Sequence, residues 1–156
     1  MSARTPARRA RSPRFALTVQ YAAPRKGLPR RASIERWIRA ALERPAAVTV
    51  RFVGAAEGRA LNRDFRGRDY ATNVLTFAYH EPDAPLAGDL VLCAPVVKRE
   101  ATEQGKALRA HFAHLLVHGV LHLQGYDHER RAEAHAMEMR ERRILAGLGY
   151  PDPYAA

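Results

Sequence analysis

The sequence contains one cysteine, no long apolar run and an excess of basic over acidic side chains. Cys93, in the apolar run GDLVLCAP, is expected in the core, and a single cysteine excludes both a disulfide within the chain and a zinc site built on several thiolates. A lone thiol is typical of a reducing compartment, so we expect a cytoplasmic protein. No segment approaches the roughly 18 consecutive apolar residues of a membrane span, and we therefore expect a soluble protein that is not exported.

Charge points to a polyanionic partner. The 26 basic side chains exceed the 16 acidic ones, which gives a formal net charge of +10. Five of the 26 are arginines of residues 1–14, a segment without acidic side chains that we predict to be a disordered basic tail. The 21 that remain still exceed the 16 acidic side chains, by five. A basic surface favours nucleic acid; the alternative is a protein that is basic only because its proteome is rich in arginine.

Hydrophobic periodicity predicts one α+β domain over residues 15–150. The run 88–95 is apolar on both faces, which indicates a central strand. Alternating patterns predict three further strands, at 15–22, 47–54 and 71–79. Helical spacing predicts five helices, at 34–44 with Ser33 as N-cap, at 55–66 ending before Gly67, from Pro95 to 105, at 106–125 and at 128–149. These elements correspond to a small mixed sheet of about four strands packed with about five helices.

The segment HGVLHLQGYDH, residues 118–128, carries three histidines around a glycine. His118 and His122 are four residues apart and share one face of the predicted helix. Gly125 ends that helix, and the turn brings His128 back toward its end. Three imidazoles leave the fourth position of a tetrahedral zinc open, as in catalytic zinc sites. The spacing therefore predicts His118, His122 and His128 as ligands of one Zn²⁺ per chain, in a zincin-like metal site.

Other side chains near this motif have several possible roles. The pair His114 and His118 has the same spacing as His118 and His122, but the glycine turn after His122 favours the second pair. We assign His111 and His114 mainly to packing, although one of them could line the cleft or hydrogen-bond to a ligand imidazole. Asp127 could orient a ligand imidazole or relay a proton, or it could be a turn or N-cap residue before the last helix.

The zinc protease pattern H-E-x-x-H has a glutamate after its first histidine, which acts as general base. The corresponding residue here is Gly119, so peptidase activity is not expected. A metal ion can still act as a Lewis acid on a phosphoryl oxygen, and RNA carries a 2′-OH that can serve as nucleophile. A basic protein with an open zinc position and no protease base is better suited to a phosphodiester than to a peptide.

Three segments resemble the YbeY family of rRNA maturation endoribonucleases. HGVLHLQGYDH looks like the family signature, and the segments LNRDFRGRDYATNVLTFAY (61–79) and GDLVLCAPVVKREATEQGK (88–106) are similar to two further family motifs. The resemblance covers most of residues 48–147. This sequence departs from the family pattern at Ala71, where proline is usual, and at Thr76, where serine is usual. The basic tail is not explained by the resemblance.

The resemblance implies a single-strand-specific, metal-dependent endoribonuclease of the cytoplasm. Its family role would be maturation of rRNA, especially at the 3′ end of 16S rRNA, and ribosome quality control, with single-stranded RNA and the small ribosomal subunit and its proteins as partners. The family's metal histidines match His118, His122 and His128, and its functional arginine is matched to Arg59. Two alternatives stay open: a non-catalytic ribosome-assembly factor with a structural zinc site, and a metal hydrolase with another substrate.

Overall fold

The computed structural model describes residues 14–79, 84–127 and 129–155. The elements of these ranges follow the chain in the order β1 (Phe15–Ala22), α1 (Arg31–Ala41), β2 (Ala46–Val53), α2 (Ala55–Arg66), β3 (Val74–Tyr79), β4 (Leu86–Cys93), α3 (Ala94–Glu103), α4 (Leu108–Leu123) and α5 (Arg131–Gly147). The predicted α+β class, with a four-stranded mixed sheet and five helices, is confirmed for this part of the chain. None of these helices is long and apolar enough to cross a membrane. The predicted basic tail lies outside the described residues except for Arg14.

The sheet has the strand order β1-β2-β4-β3, and β4 is paired along both edges. β2 runs parallel to β4, with Val48 opposite Gly88, whereas β3 runs antiparallel to it, with Thr76 opposite Leu90. β1 runs parallel to β2 on the other side. The prediction that the apolar run 88–95 forms a central strand is therefore confirmed.

The two faces of β4 pack against different helices because side chains alternate along a strand. Leu90 and Leu92 belong to the main core, which α1, α4 and α5 share. Val91 and Cys93 belong to a smaller core on the opposite face, where Leu61 of α2 packs. The sheet thus separates α2 from the bundle of α1, α4 and α5. Cys93 is 1% exposed, so its predicted place in the core is confirmed.

Three predicted helix boundaries have different outcomes. α1 begins at Arg31 with no side-chain cap, so the predicted N-cap role of Ser33 is wrong. The Ser33 hydroxyl instead accepts a hydrogen bond from Arg109 Nη2 at 2.9 Å, which links α1 to α4. Gly67 ends α2 in the left-handed region at a φ of 70°, and Pro95 lies in the first turn of α3, both as predicted.

α4 lies close to the sheet at two glycines. A Cβ atom at Gly119 would lie 2.8 Å from Cδ2 of Leu90, and a Cβ atom at Gly88 of β4 would overlap the side chain of Leu123. Both contacts are too short for real carbon atoms, so the missing side chains allow the helix and the sheet to approach. This approach fixes the depth of α4 and therefore the position of its histidines.

Candidate metal centre

Four histidines lie along α4, and the first three become more exposed in chain order. The side chain of His111 is 4% exposed, that of His114 13% and that of His118 28%. His122, one turn further, is half-buried. Residues three and four apart share a helix face, so the four form one stripe, and the other side of α4 packs into the core. The first two histidines of the stripe therefore lie mostly in the interior, and the last two reach a cleft.

The cleft has a volume of about 400 Å³ and two walls. His118 and His122 of α4 form one wall, and the segment from the end of α2 into β3 forms the other. The residues of that second wall are Asn62, Arg66, Arg68, Tyr70, Thr72, Val74, Leu75 and Thr76. Two arginines and no carboxylate lie among the described residues that line the cleft, so it favours an anionic ligand.

Each histidine of the cleft has a hydrogen-bond partner at Nδ1. Nδ1 of His118 contacts the carboxylate oxygen Oε1 of Glu141, and Nδ1 of His122 lies 3.1 Å from the backbone oxygen of Tyr126. A carboxylate and a carbonyl can only accept, so Nδ1 donates in both rings and Nε2 is the nitrogen suited to a metal ion. Metal-binding histidines are commonly held in this way, and the donor set therefore fits a metal such as zinc.

The third predicted ligand, His128, lies outside the described residues, so its place beside His118 and His122 stays a prediction. Among the described residues, the ligand atoms of His114, His118 and Glu141 lie within 4.8 Å of one another and could also hold a metal ion. This arrangement contains His114 and His118, the pair that the sequence favours less than His118 and His122. Both candidate arrangements include His118.

Gly119, which stands where the zinc protease pattern has its glutamate, faces away from the cleft. Gly119 is buried, and its Cα–Cβ direction points at Leu90 of the central strand. A glutamate at this position would therefore be directed into the main core and not toward a metal ion held by His118. The expectation that the site lacks a peptidase base thus has a structural reason.

The arginine matched to the family's functional residue lies apart from the cleft. Arg59 is exposed on α2 and forms a two-point ion pair with Asp69, with nitrogen–oxygen distances of 2.7 and 2.9 Å. It is not among the cleft-lining residues, whereas Arg66 and Arg68 are. Arg66 donates from Nη2 to the backbone oxygen of Thr76 at 2.7 Å, so its guanidinium is held at the cleft. The catalytic role of Arg59 stays a prediction, and the geometry favours Arg66.

Two asparagines hold the segment that carries these arginines. Asn62 is 2% exposed, and its Nδ2 donates to the backbone oxygen of Tyr70 at 2.7 Å. Asn73 accepts at Oδ1 from the backbone nitrogen of Val74 at 2.6 Å, and its Nδ2 donates to Glu100 of α3 at 3.1 Å. Both ends of the loop before β3 are therefore tied to neighbouring helices, which fixes the second wall of the cleft.

Glu141, which is not among the residues predicted from the sequence, contacts two histidines of α4. Glu141 is 0% exposed and lies on α5 between Met137 and Leu145, which are also buried. Burial raises the pKa of its carboxyl, but hydrogen bonds with His114 and His118 outweigh this effect and lower the pKa to about 2. A glutamate at the i, i+4, i+8 spacing of an apolar helix face was the signal that could have identified it.

Asp127 accepts a hydrogen bond at Oδ1 from the backbone nitrogen of Glu129 at 3.2 Å. This contact belongs to the turn before α5, whose N-cap is Arg130. The turn alternative for Asp127 is therefore supported by this contact, the N-cap alternative is wrong, and a role on a ligand imidazole stays a prediction.

Comparison with known proteins identifies the family. A family model described as Endoribonuclease YbeY matches residues 27–149 of the chain. The chain belongs to the YbeY family. The YbeY resemblance of the three sequence motifs is thus confirmed, and the matched range contains the described walls of the cleft as well as Glu141.

Relatives in the YbeY family are similar over almost the whole chain. A protein of Aromatoleum aromaticum named Endoribonuclease YbeY is 65% identical over 147 residues, which cover 92% of this chain and 95% of the relative. A protein of the same name from Paraburkholderia phytofirmans is 59% identical over 150 residues, covering 92% and 98%. The solution structure of a Thermotoga maritima protein is similar in fold, with a TM-score of 0.55, 24% identity, and coverage of 91% of this chain and 99% of that one.

Proposed function

We propose that this chain is a metal-dependent endoribonuclease that cleaves single-stranded RNA. The observation that carries the proposal is the cleft itself, in which His118 and His122 face Arg66 and Arg68 across one opening. A pair of metal-binding imidazoles suits hydrolytic chemistry, and two arginines opposite them suit a phosphodiester. The name Endoribonuclease YbeY, carried by relatives at 57–65% identity, supports the same activity for this chain.

The arginines of the cleft bind and neutralise the scissile phosphate in this proposal. A guanidinium can donate two parallel hydrogen bonds to a phosphate, and its charge counters the charge that develops in the transition state. Arg66 is well placed for this because the Thr76 carbonyl fixes one nitrogen and the Phe77 ring lies 5.6 Å from its central carbon. We retain Arg59 as an alternative for this role, at a position outside the cleft lining.

The cofactor in this proposal is one zinc ion per chain, bound by His118, His122 and His128. A bound zinc ion supplies Lewis-acid chemistry and lowers the pKa of water. The residues of the chain present the imidazoles for this purpose: Glu141 and the backbone of Tyr126 hold the two described rings at Nδ1. His114 supports the wall of the centre behind His118 in this arrangement, and Asp127 contributes the turn that leads to His128.

A single-stranded substrate suits the aromatic side chain at the cleft. Tyr70 is 52% exposed, lines the cleft and receives a hydrogen bond from Arg68 at 3.1 Å. An exposed ring beside an arginine is the usual device for stacking an unpaired base next to a bound phosphate. We further propose 16S rRNA near its 3′ end as the substrate, in ribosome maturation and quality control in the cytoplasm, with the small subunit and its proteins as partners.

A second candidate function is that of a non-catalytic ribosome-assembly factor with a structural zinc. It is favoured by the lack of a carboxylate among the described residues that line the cleft, because a general base for RNA hydrolysis is then not evident. A hydrolase with another substrate remains the third possibility and predicts that RNA is neither bound tightly nor cut.

The test is cleavage of a single-stranded RNA that spans the 3′ end of 16S rRNA. The wild-type protein is compared with His122→Ala and with His135→Ala, an exposed histidine of α5 outside the cleft, all purified identically and assayed for zinc. We expect His122→Ala to lose zinc and cleavage together and His135→Ala to keep both. Equal cleavage by all three proteins would indicate a contaminating nuclease, and retained RNA binding without metal-dependent cleavage would favour the assembly factor.

A further inference from the structure

A buried carboxylate lies behind the metal centre, on the side of His118 that faces α5. Glu141 is 0% exposed, although a carboxylate taken out of water without partners is strongly unfavourable. A well-packed apolar residue of similar volume would usually fit such a position as well or better. The flanking buried residues on this face, Met137 and Leu145, follow that expectation. The exception at position 141 needs an explanation in terms of what the carboxylate contacts.

The two oxygens of Glu141 have separate partners. Oε1 contacts Nδ1 of His118, whereas Oε2 accepts from the hydroxyl of Tyr154 and lies 3.4 Å from Nε2 of His114. With Oε2 engaged by two groups, rotation of the carboxylate is restricted, and Oε1 is directed at His118. The contacts at Oε2 therefore hold Oε1 in hydrogen-bonding position beside His118.

The chain after α5 is folded back to supply the tyrosine. The carboxylate of Asp152 accepts from Arg142 Nε at 3.1 Å and from the backbone nitrogen of Tyr154 at 2.8 Å. The guanidinium of Arg142 also lies 5.3 Å from the centre of the Tyr154 ring. These contacts hold the C-terminal segment against α5, so that the Tyr154 hydroxyl reaches the buried carboxylate.

We propose that Glu141 is the positioning residue of the metal centre, and that Tyr154 holds it in place. Glu141 accepts a hydrogen bond from Nδ1–H of His118, which fixes the ring in the tautomer and orientation that present Nε2 to the metal ion. This inference rests on the proposed function in one respect, the metal ion bound through His118. A carboxylate behind a ligand histidine also strengthens the imidazole as a donor.

The opposing interpretation makes Glu141 a metal ligand together with His114 and His118. The burial of the group disfavours it for a catalytic metal, because His114 is only 13% exposed and Glu141 not at all, whereas a catalytic site needs an open position for substrate. The cleft and its arginines lie on the side where His122 meets His118. The two interpretations differ in the residues on which metal affinity depends.

The experiment measures zinc affinity by competition with a chelator of known affinity, and the tautomer of His118 by NMR of histidine nitrogens in zinc-free protein. The variants are Glu141→Ala, Glu141→Gln and Tyr154→Phe. Glu138→Gln, a partly exposed glutamate of the same helix, is the matched control. Circular dichroism and urea unfolding establish that each variant is folded.

We expect Glu141→Ala to lower zinc affinity about 10–100-fold and to reduce the population of the His118 tautomer protonated at Nδ1. Glu141→Gln should restore much of both, because an amide oxygen can accept the same proton, and Tyr154→Phe should produce a smaller loss in the same direction. Glu138→Gln should change neither. If Glu141→Ala fails to fold, the test is the population of the His118 tautomer in Glu141→Gln and Tyr154→Phe, measured by NMR.

Unchanged zinc affinity and an unchanged His118 tautomer in both Glu141 variants would overturn the inference. It would also be overturned if His114→Gln lowered zinc affinity as much as Glu141→Ala while His122→Ala left it intact, because the metal ion would then lie among His114, His118 and Glu141. Failure of the proposed function is distinguishable: a wild-type protein that binds zinc with this dependence on Glu141 and does not cleave RNA would refute only the nuclease activity.

Discussion

The close contact between α4 and the central strand predicts an unusual response to a helix-favouring substitution. Replacing a glycine by alanine inside a helix normally stabilises a protein by about 1 kcal/mol. At Gly119 the new Cβ would lie 2.8 Å from Cδ2 and 3.3 Å from Cδ1 of Leu90, which is itself 0% exposed and closely packed. Overpacking of this kind costs about 1–3 kcal/mol. We therefore expect Gly119→Ala to be destabilising by up to about 2 kcal/mol, from the difference of these two terms.

A double-mutant cycle with Leu90→Ala isolates the contact. Leu90→Ala alone should cost about 2–5 kcal/mol, because it leaves a cavity beneath α4. In that background the clashing atoms are gone, so Gly119→Ala should become stabilising, with a coupling of about 1–3 kcal/mol between the two sites. Gly147→Ala, at the end of α5 with open space around its Cβ, is the control and should stabilise in both backgrounds.

Urea unfolding followed by fluorescence of Trp37 provides the assay, since this is the single tryptophan and it is fully buried. A chelator is included throughout, so that metal binding does not contribute to the measured stability. The reasoning is refuted if Gly119→Ala stabilises the wild type as Gly147→Ala does, or if the coupling with Leu90→Ala is close to zero.

The same geometry predicts that a protease base cannot be installed by one substitution. Gly119→Glu would direct a carboxyl group at the side chain of Leu90 in the main core. Burial of an unpaired polar group costs several kcal/mol, a large share of the about 5–15 kcal/mol that stabilises a typical domain. We expect loss of the cooperative urea transition and no peptidase activity in assays with unstructured peptides. A stable, active peptidase would contradict the orientation of α4 described above.

Three further predictions concern pH, the cleft arginines and the basic tail. Burial lowers the pKa of His111, and its hydrogen bond to Glu100 offsets part of this effect. The unfolded chain therefore takes up the proton first as the pH falls, so the free energy of unfolding should decrease below about pH 6.5, by at most about 1.4 kcal/mol per pH unit. His111→Gln should flatten this pH dependence in urea titrations. Arg66→Lys should lower RNA cleavage about 10–100-fold, since a lysine cannot make the two-point phosphate contact, and Arg59→Lys should lower it by less. A larger effect at Arg59 would support the role that the family resemblance assigns to that residue. Deletion of residues 1–13 should weaken RNA binding and reduce its salt dependence, and an unchanged salt slope would speak against a role of the tail in binding.

The sheet and helices could be predicted because their signals are local. Alternation over 15–22 and the doubly apolar run 88–95 identify strands that the structure contains, and Gly67 and Pro95 mark helix ends through their own backbone preferences. β3 begins at Val74, three residues after the predicted start, and the Asn73 side chain accepts a hydrogen bond from the backbone nitrogen of Val74 at this point. Such competition between side chain and strand depends on the tertiary partner of Asn73.

In the candidate site, too, some residues could be predicted from local spacing, whereas others depend on tertiary contacts. The pair His118 and His122 follows from helical spacing alone. The place of Glu141 on the buried face of α5 is also a matter of spacing, but its contact with His118 of α4 is tertiary and cannot be read from either helix. Arg59 and Arg66 are seven residues apart, about two turns or roughly 10 Å along α2, and therefore point in similar directions. Periodicity could not decide which of them reaches the cleft, because that depends on where α2 ends relative to β3.

The two walls of the cleft differ in how early they can form. In the proposed metal site, His118 and His122 lie one turn apart on a single helix, so a chain in which α4 has formed already presents both imidazoles before Glu141 of α5 is in place. The arginine wall is separated from them in sequence by β4 and α3, and it reaches the histidines only when the sheet is complete. Metal binding to incompletely folded chains reduces the stabilisation that the ion gives to the native state. Refolding in excess zinc should thus accumulate metal-loaded chains without a cleft, and zinc content alone will overstate the fraction of competent protein.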